Sequence, residues 1–261
     1  MQAQKRQMTA GNFMSSPVIT VAADADLVDA VSVMALRNVG NVVVVEDERP
    51  VGILTERELL RYLAIRKEVP DILAGEVPLQ GFSQLTPETK IEDAARIMVN
   101  KRSRLLVFRR DQYWQQKLAG IITASDLLRA FLETGKNPPI ARVIRKKVFT
   151  LDYSRTILAA VKTMYRRGVG SVVVEKDGQP YGIFTERDLL KNVLPRHVSL
   201  DEKVGRYCAH PLKTYRRRIG ARTAGRFMVE NAIKRLPLKY KGKIAGIVTA
   251  RDLVEAFWRD L

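Results

Sequence analysis

Four short segments place a threonine three residues before a carboxylate, where an apolar strand would end and a helix begin. They are GILTERELL at 52–60, GIITASDLL at 120–128, GIFTERDLL at 182–190 and GIVTARDLV at 246–254. A hydroxyl and a carboxylate at this spacing can form a capping box that satisfies backbone N–H groups at the start of the helix. The same helix start also offers N–H groups to a phosphate, and its carboxylate can accept ribose hydroxyls. Capping and nucleotide binding are therefore both predicted, and the first does not exclude the second.

The spacing of these segments indicates that the chain is built from repeats. Their threonines recur at steps of 68, 62 and 64 residues, and four methionines recur at steps of 64, 66 and 64 residues. Apolar residues precede each methionine at i, i+3, i+4, i+7 spacing, as in Leu27, Ala30, Val31 and Met34, which predicts a helix with the methionine in the core. A β-rich run such as VVVV at 42–45 follows. The period predicts four units with the order strand–helix–strand–strand–helix.

This order resembles that of the CBS-domain family. The resemblance also rests on SSPVITV at 15–21, VGNVVVV at 39–45, VGSVVVEKDG at 169–178 and the GhhTxR[DE]LL closings. It covers nearly the whole chain and implies an α/β fold of four β-α-β-β-α CBS units, arranged as two pseudo-twofold pair modules. Family members are usually regulatory ligand sensors, often for adenine nucleotides, and are not themselves catalysts.

The expected organisation has two modules joined by a short linker. A flexible tail is expected at 1–12, pair module one at 13–133 with units at about 13–66 and 77–132, the linker at 134–139, and pair module two at 140–261 with units at about 140–194 and 204–261. The linker reads TGKNPP, and its glycine and prolines favour a boundary. Unit two has a longer hairpin at 109–117, which is a lid edge, a contact for a protein partner or simply a solvated hairpin.

Composition argues against several other classes of protein. The single cysteine, Cys208, cannot form an internal disulfide and suits a reducing cytoplasm. Apolar runs stay below the 18 residues or so of a membrane span, and the first residues lack a signal-peptide core. His197 and His210 are not at ligand spacing, and no nucleophile triad or Walker loop occurs, so neither a metal site nor an enzyme is predicted.

Charge separates the two halves of the chain. The net charge is +17; residues 1–130 carry 17 basic and 16 acidic residues, whereas residues 131–261 carry 28 and 12. Between Lys203 and Arg251 there are 14 basic residues and a single acid, Glu230. Because like charges repel in a compact domain, this excess favours a surface that binds a polyanion.

The basic excess is concentrated around a helix predicted near 219–233. Arg218, Arg222 and Arg226 would share one face of it, and cations at a helix N-terminus oppose the dipole. A solvated basic face is the alternative. Without a DNA-reading motif, RNA is favoured, with basic groups on phosphates and tyrosines stacked on bases. The predicted RNA-binding residues are Tyr215, Arg216, Arg217, Arg218, Arg222, Arg226, Lys234, Lys239, Tyr240, Lys241 and Lys243.

The resemblance also implies where a nucleotide would lie. In the family it occupies the cleft between paired units, with base contacts from the stretch before the first helix and from the start of the second strand. The Thr-x-x-Asp/Glu element then holds ribose and phosphate. Carried onto units one and three, this assigns Thr20, Asn41, Val42, Thr55, Arg57, Glu58, Thr150, Ser171, Val172, Thr185, Arg187 and Asp188 to nucleotide binding.

Several neighbouring residues complete the predicted sites. Gly40 and Gly170 would leave room for a flat base, and Arg104 and Arg235 would supply bidentate phosphate contacts. Arg57 and Arg187 have a structural alternative as exposed residues of a first helical turn. Secondary sites, or none, are expected at Thr123, Asp126, Thr249 and Asp252.

These patterns together predict a non-enzymatic protein that binds an adenine nucleotide (AMP, ADP or ATP) as a regulatory ligand and needs no other cofactor. The chain resembles archaeal CBS proteins that associate with ribosomes and silence translation, which implies ribosomal RNA or subunits as partners and a cytoplasmic location. The alternatives are a stand-alone sensor that regulates an enzyme or transporter through protein contacts, and a transcription regulator.

Overall fold

The computed structural model describes residues 8–145 and 147–260 of the chain. The strands are β1 (Thr20–Ala22), β2 (Asn41–Glu46), β3 (Arg49–Thr55), β4 (Phe82–Leu85), β5 (Arg104–Arg110), β6 (Gln116–Ile122), β7 (Thr150–Asp152), β8 (Ser171–Lys176), β9 (Gln179–Thr185), β10 (Tyr215–Arg216), β11 (Arg235–Tyr240) and β12 (Lys243–Thr249). The α-helices are α1 (Ala10–Phe13), α2 (Leu27–Leu36), α3 (Glu56–Arg66), α4 (Ile91–Lys101), α5 (Ala124–Glu133), α6 (Ile157–Arg167), α7 (Glu186–Asp188), α8 (Ala221–Glu230) and α9 (Ala250–Trp258). A π-helical stretch, Leu189–Val193, continues α7.

Each repeat forms its own three-stranded sheet in the described part of the chain. The first strand of a repeat pairs in parallel with the second, and the second pairs antiparallel with the third. A parallel pair needs a crossover connection, and in each repeat a helix provides it, as α2 does between β1 and β2. The predicted α/β class and the four units are confirmed.

The repeating methionines lie in the core, as the helical spacing predicted. Met34 and Met164 are fully buried, and Met228 and Met98 are 1% and 4% exposed. Full burial of a methionine side chain stabilises a fold by about 1.5–3 kcal/mol relative to exposure. The recurring methionine therefore marks the same packing position in each repeat.

The described residues divide into two compact units. The first compact unit comprises the described parts of Met1–Val18, Gly81–Lys146 and Thr214–Leu261, and so holds repeats two and four. The second compact unit comprises the described parts of Ile19–Gln80 and Lys147–Lys213, and holds repeats one and three. The modules expected at 13–133 and 140–261 would instead group repeat one with repeat two and repeat three with repeat four. Those modules stay a prediction.

Helix packing explains why repeats two and four form one compact unit. The rings of Phe131 on α5 and Phe257 on α9 stack with centroids 5.3 Å apart. On α8, a Cβ at Gly225 would lie 3.0 Å from side-chain atoms of both Leu128 and Leu132. The glycine therefore lets the backbone of α8 approach α5 closely.

The second compact unit is held by an equivalent apolar contact between helices. Leu60 and Leu63 of α3 share a buried cluster with Ile157, Val161 and Met164 of α6. These are the apolar faces that helical periodicity predicted, and each buries its stripe against a helix of the other repeat.

Part of the expected N-terminal tail is folded. Ala10 is fully buried, and its N–H donates to Thr89 O over 2.7 Å. Gly11 N donates to Pro87 O over 2.8 Å, in a close approach where a Cβ would lie 3.0 Å from Pro87. The tail prediction was thus wrong for residues 8–12, whereas residues 1–7 lie outside the described residues.

The predicted linker at 134–139 is integrated into the first compact unit. Lys136 Nζ donates to Asp260 O over 2.9 Å, and Pro138 O accepts from Ala221 N over 2.8 Å. Asn137 Oδ1 accepts from Arg222 N over 2.9 Å. The segment therefore contributes to the start of α8 and does not separate two compact units.

None of the helices within residues 8–145 and 147–260 has the length and apolar character that a bilayer crossing requires.

Candidate functional site

The predicted nucleotide-binding residues of a repeat meet at one end of its sheet. The residue that begins the second strand lies opposite the threonine that ends the third strand. Because α3, α7 and α9 begin directly after those threonines, the strand start and the helix N-terminus are neighbours. The pairs in register are Asn41–Thr55, Ser171–Thr185 and Arg235–Thr249.

The first strand adds an exposed residue beside this end. Thr20 pairs with Val43, and Thr150 pairs with Val173, so each lies next to the start of the second strand. The side chains of Val42 and Val172 are both 1% exposed. Both residues are buried as a whole, so their predicted contact with a ligand base stays a prediction.

All four Thr-x-x-Asp/Glu elements form capping boxes. In each, the threonine hydroxyl donates to the carboxylate over 2.5–2.7 Å. The threonine N–H donates to the same carboxylate over 2.7–2.9 Å. The predicted capping role is confirmed. It engages one carboxylate oxygen, and the second oxygen of each carboxylate is named the outer oxygen. The pairs are Thr55–Glu58, Thr123–Asp126, Thr185–Asp188 and Thr249–Asp252.

In repeats two and four, an arginine binds the outer carboxylate oxygen. Arg129 donates to Asp126 Oδ1, and Arg145 donates to Asp252 Oδ1 from Nε at 3.3 Å and from Nη2 at 3.2 Å. Asp126 and Asp252 are also 2% and 5% exposed. A ribose would have to displace an ion pair here, which supports the expectation of secondary sites or none.

In repeats one and three, neutral amides contact the outer oxygen. Gln80 Nε2 donates to Glu58 Oε1 over 3.2 Å, and Asn192 Nδ2 lies 3.5 Å from Asp188 Oδ1. Both carboxylates are partly exposed. A ligand hydroxyl can replace a neutral amide at lower cost than an arginine, because hydrogen bonds between two charged groups are the stronger ones.

Arg187 is engaged in a structural contact between repeats one and three. Its Nε donates to Glu56 Oε1 over 2.6 Å, and its Nη1 donates to Asn38 O over 2.6 Å. The side chain is 23% exposed, and that of Glu56 is 15% exposed. Arg187 thus makes a contact between repeats that differs from the exposed first-turn residue of the structural alternative, and its role in nucleotide binding stays a prediction.

Arg57 occupies the mirrored position but is held more loosely. Its Nη2 donates to Gly168 O over 3.2 Å, and its Nε lies 3.9 Å from Glu186 Oε1. Its side chain is 52% exposed. Arg57 therefore still has donors that can turn toward a ligand, and its predicted role stays a prediction.

Gly40 has a different role from the predicted one. A Cβ at this position would lie 2.7 Å from Arg187 Nη2 and 3.0 Å from the Glu56 carboxylate. The missing side chain therefore makes room for the ion pair of Arg187 and Glu56. The explanation that Gly40 leaves space for a base is replaced by this one.

Arg251, which the sequence patterns did not single out, lies in a cluster of arginines. Its Nη2 donates to Met98 O over 2.6 Å. Burial lowers the pKa of Arg251, and the neighbouring charges of Arg104, Arg102 and Arg145 lower it further. Asp252 acts in the opposite direction, and Arg251 thus lies near Arg104, for which the sequence predicted a phosphate contact.

A change in sequence accounts for the charge of this cluster. The residues after the capping threonine are Glu56 and Glu186 in repeats one and three but Ala124 and Ala250 in repeats two and four. In the second compact unit Glu56 pairs with Arg187. The residue of repeat two that corresponds to Glu56 is Ala124, so Arg251 lacks the equivalent acid. Alignment of the four repeats at their threonines was the signal that could have identified this position.

The C-terminal basic surface is defined here as Arg216, Arg217, Arg218, Arg226, Lys239, Lys241 and Lys243. Most of these side chains are exposed, and within residues 8–145 and 147–260 none of them forms an ion pair with a carboxylate. The surface therefore keeps its positive charge in the folded chain. Lys234 and Arg235 lie beside it, at the start of β11.

Three details of the predicted RNA surface are corrected. Arg218 precedes α8, which begins at Ala221, so it does not share a helical face with Arg222 and Arg226. Arg222 is only partly exposed. The Tyr215 ring packs edge-on against Phe227 at 5.2 Å and is partly buried, whereas Tyr240 is 46% exposed, with Lys241 Nζ 5.7 Å from its ring centroid.

The two histidines do not belong to a cluster of potential metal ligands among the described residues. Within the described ranges, no group of three or more His, Cys, Asp and Glu side chains is arranged to hold a metal ion. His210 instead stacks on Tyr181 with ring centroids 4.3 Å apart.

The chain is similar in sequence to several archaeal proteins. An uncharacterized 33.4 kDa protein in a ribosomal RNA operon of Thermofilum pendens is 32% identical over 199 residues, which are 68% of this chain and 63% of that protein. Protein MK0525 of Methanopyrus kandleri is 35% identical over 120 residues, 44% of this chain and 61% of that protein. The chain thus spans less than two thirds of the length of these two relatives.

Solved structures share the fold. Protein MJ1225 of Methanocaldococcus jannaschii superposes with a TM-score of 0.77 at 19% identity, covering 96% of this chain and all of that one. A conserved protein of Pyrococcus horikoshii superposes with a TM-score of 0.64 at 18% identity over the same shares. At these identities the likeness concerns the fold alone.

The family model described as the CBS domain matches four segments of the sequence. They are residues 10–65, 74–133, 140–195 and 204–259, and each contains one three-stranded sheet with its helices. The matches cover most of the chain and agree with the repeats read from the threonine spacing. The chain therefore belongs to the CBS-domain family.

Proposed function

We propose that this protein is a non-enzymatic regulator that binds an adenine nucleotide at repeats one and three, and that it acts in the cytoplasm. The observation that carries the proposal is the difference in burial between the two sets of capping carboxylates. Glu58 and Asp188 are partly exposed, whereas Asp126 and Asp252 are only 2% and 5% exposed. Adenosine ligands are general to CBS domains, and a carboxylate is the acceptor that ribose hydroxyls need.

The geometry also supports a division of tasks within each proposed site. The start of the second strand, at Val42 or Val172, would border the base. Asn41 or Ser171, opposite the capping threonine, would border the ribose. The N-terminus of α3 or of α7 would favour the negatively charged phosphate through its helix dipole.

A calorimetric titration tests this proposal. AMP, ADP and ATP are titrated in turn into the full chain, with GMP as the base control. Glu58→Ala and Asp188→Ala should each weaken binding about ten- to hundredfold, because a hydrogen bond to a charged group contributes about 1.5–3 kcal/mol. The matched control is Asp93→Ala, whose carboxylate lies on α4 in an exposed pair with Arg96. Unchanged affinities in both site variants would leave these carboxylates with the capping role alone.

We propose as a second function that the C-terminal basic surface binds RNA, with ribosomal RNA as the first candidate. The absence of carboxylate partners among its described residues supports this, since binding phosphates would remove the mutual repulsion of the cations. A relative named for a ribosomal RNA operon gives a further reason to test ribosomes. This would make the protein a ribosome-associated, translation-silencing factor.

A salt series tests the RNA proposal. If the surface contacts six or more phosphates, affinity for ribosomal RNA should fall roughly 10³-fold or more between about 50 and 200 mM salt. Arg216→Glu with Arg218→Glu should abolish cosedimentation with ribosomal subunits and leave nucleotide affinity unchanged. Arg96→Glu with Arg259→Glu is the matched control on arginines that already have carboxylate partners. Cosedimentation that survives the first pair of changes would refute the proposal.

A regulator that acts through protein contacts is the alternative, and one feature favours it. Tyr113 and Trp114, in the long hairpin between β5 and β6, are 73% and 77% exposed. The Arg110 guanidinium lies 5.4 Å from the centroid of the Trp114 ring, a cation–π contact within the same hairpin. MJ1225, a structural neighbour proposed as an archaeal homologue of g-AMPK, makes a partner enzyme a reasonable target to test.

A further inference from the structure

A polar cleft lies on the first compact unit, beside α8. It has a volume of about 350 Å³, and the residues that border it include Asn137, Tyr215, Arg222, Arg226, Phe227 and one acid, Glu230. None of these residues belongs to the Thr-x-x-Asp element of repeat four. The cleft is therefore separate from the sheet ends where nucleotide binding is proposed. Its volume falls within the range that small-molecule sites occupy.

Arg222, which borders this cleft, carries an unsatisfied donor. Its Nε is buried and has no hydrogen-bond partner within residues 8–145 and 147–260. Buried donors in native proteins are nearly always hydrogen-bonded, so a lone one indicates a place where an ion or a ligand can bind. The position of Arg222 is fixed, because Asn137 Oδ1 accepts from its backbone N–H over 2.9 Å.

The contact of Asn137 itself depends on a glycine. A Cβ at Gly220 would lie 2.1 Å from Asn137 Oδ1 and 2.6 Å from Asn137 Nδ2. The amide therefore packs directly on the backbone at the start of α8. This arrangement holds one wall of the cleft in place.

The charges around the cleft favour an anion. Arg222 lies in the first turn of α8, where the helix dipole disfavours a cation, and Arg226 follows at i+4, where like charges repel. Glu230 is a further four residues along, and within the described ranges it forms no ion pair with Arg226. A bound dianion would relieve both unfavourable interactions, and a planar guanidinium matches the oxygens of a phosphate.

An aromatic wall gives the cleft a second chemical feature. The rings of Tyr215 and Phe227 pack edge to face at 5.2 Å, with an interplanar angle of 70°. Such a wall can contact the flat or apolar part of a ligand whose phosphate lies on the arginines. We propose that the cleft binds a small phosphate monoester, with its phosphate on Arg222 and Arg226 and its organic part against Tyr215.

Titration of the full chain with phenyl phosphate tests this inference, with inorganic phosphate and phenol as partial ligands. Phenyl phosphate should bind at one site and more tightly than either partial ligand. Arg226→Gln should weaken it at least tenfold while the melting temperature stays unchanged, since Arg226 is exposed. Arg222→Gln should weaken it at least as much.

Two controls separate the cleft from other sources of binding. Arg259→Gln removes an exposed arginine of the same compact unit that pairs with Glu255, and it should leave the affinity unchanged. Asp188→Ala should also leave it unchanged, because that residue belongs to the proposed nucleotide site. Equal losses in Arg226→Gln and Arg259→Gln would indicate general charge attraction and overturn the proposal, as would an absence of binding at millimolar phenyl phosphate.

Discussion

Arg187 Nε lies 2.6 Å from Glu56 Oε1, and this ion pair joins the first helical turns of repeats three and one, 131 residues apart in the sequence. Each repeat thus uses the turn that follows its capping threonine to contact the other repeat. In repeats two and four the equivalent acid is absent, and three arginines together with Asp252 surround Arg251. The arginine two residues after the capping threonine therefore has different surroundings in the two compact units. In the second unit Arg187 forms an ion pair that joins two repeats, whereas in the first unit Arg251 adds to a group of positive charges.

Glu56→Gln should destabilise the second compact unit. The change leaves the charge of Arg187 without its carboxylate in a largely buried setting, so we expect a loss of about 2 kcal/mol in the free energy of unfolding. Urea denaturation measures the loss. Glu255→Gln, which breaks an exposed i,i+4 pair with Arg259, should cost less than about 1 kcal/mol. Equal losses in the free energy of unfolding would show that the Arg187–Glu56 pair stabilises the fold no more than an exposed ion pair does.

Gly40→Ala should disturb the same ion pair from the backbone side. The added Cβ would lie 2.7 Å from Arg187 Nη2, so the arginine must move and its contacts weaken. We expect a lower melting temperature, with a loss of about 1–3 kcal/mol. Gly81→Ala is the matched control, because no atom lies within 4 Å of the added Cβ. A neutral Gly40→Ala would contradict the role assigned to this glycine.

Ala124→Glu should stabilise the first compact unit. It restores, for Arg251, the acid that Glu56 provides for Arg187, and we expect a gain of about 0.5–1 kcal/mol that decreases as salt is added. Ala124→Gln has nearly the same size without the charge and serves as the control. If the two variants are equally stable at low salt, Arg251 does not lie in the unfavourable charge environment described above.

Cys208 should report on the charge of Asp188. Burial, and then the Asp188 carboxylate, raise the pKa of the Cys208 thiol to about 11. Alkylation by iodoacetamide should therefore be slow near neutral pH and keep accelerating up to about pH 11, since the thiolate is the reactive form. Asp188→Asn removes a negative charge that disfavours the thiolate, so it should lower the pKa and speed alkylation at a fixed pH. Glu202→Gln is the control, and an unchanged rate in Asp188→Asn would contradict this coupling.

Local patterns were enough to predict much of the fold and of the candidate site. The threonine–carboxylate spacing predicted the capping boxes because both partners lie within one helical turn. The assignment of Asn41 and Thr55 to one site followed from the family resemblance, whereas their pairing in register is a finding of the structure. The buried methionines followed from helical periodicity, which does not depend on distant parts of the chain.

Contacts between distant repeats could not be predicted in this way. The pairing of Arg187 with Glu56 depends on which repeats pack together, and the sequence suggested a different grouping. The folded segment around Ala10 is stabilised by Thr89 and Pro87, so its own residues carry little signal. The start of the basic helix differs from the prediction for a local reason. Gly220 is the N-cap of α8, and Asn137 accepts from the Arg222 N–H, so the helix begins after Arg218.

The assignment of nucleotide binding to repeats one and three is decided by two double variants compared in one nucleotide titration. Glu58→Ala with Asp188→Ala removes the partly exposed carboxylates, and Asp126→Ala with Asp252→Ala removes the buried ones. We expect the first pair to lose adenine-nucleotide binding, whereas the second pair loses stability but, where it remains folded, keeps its nucleotide affinity. Retained binding in the first pair together with lost binding in a folded second pair would contradict the assignment.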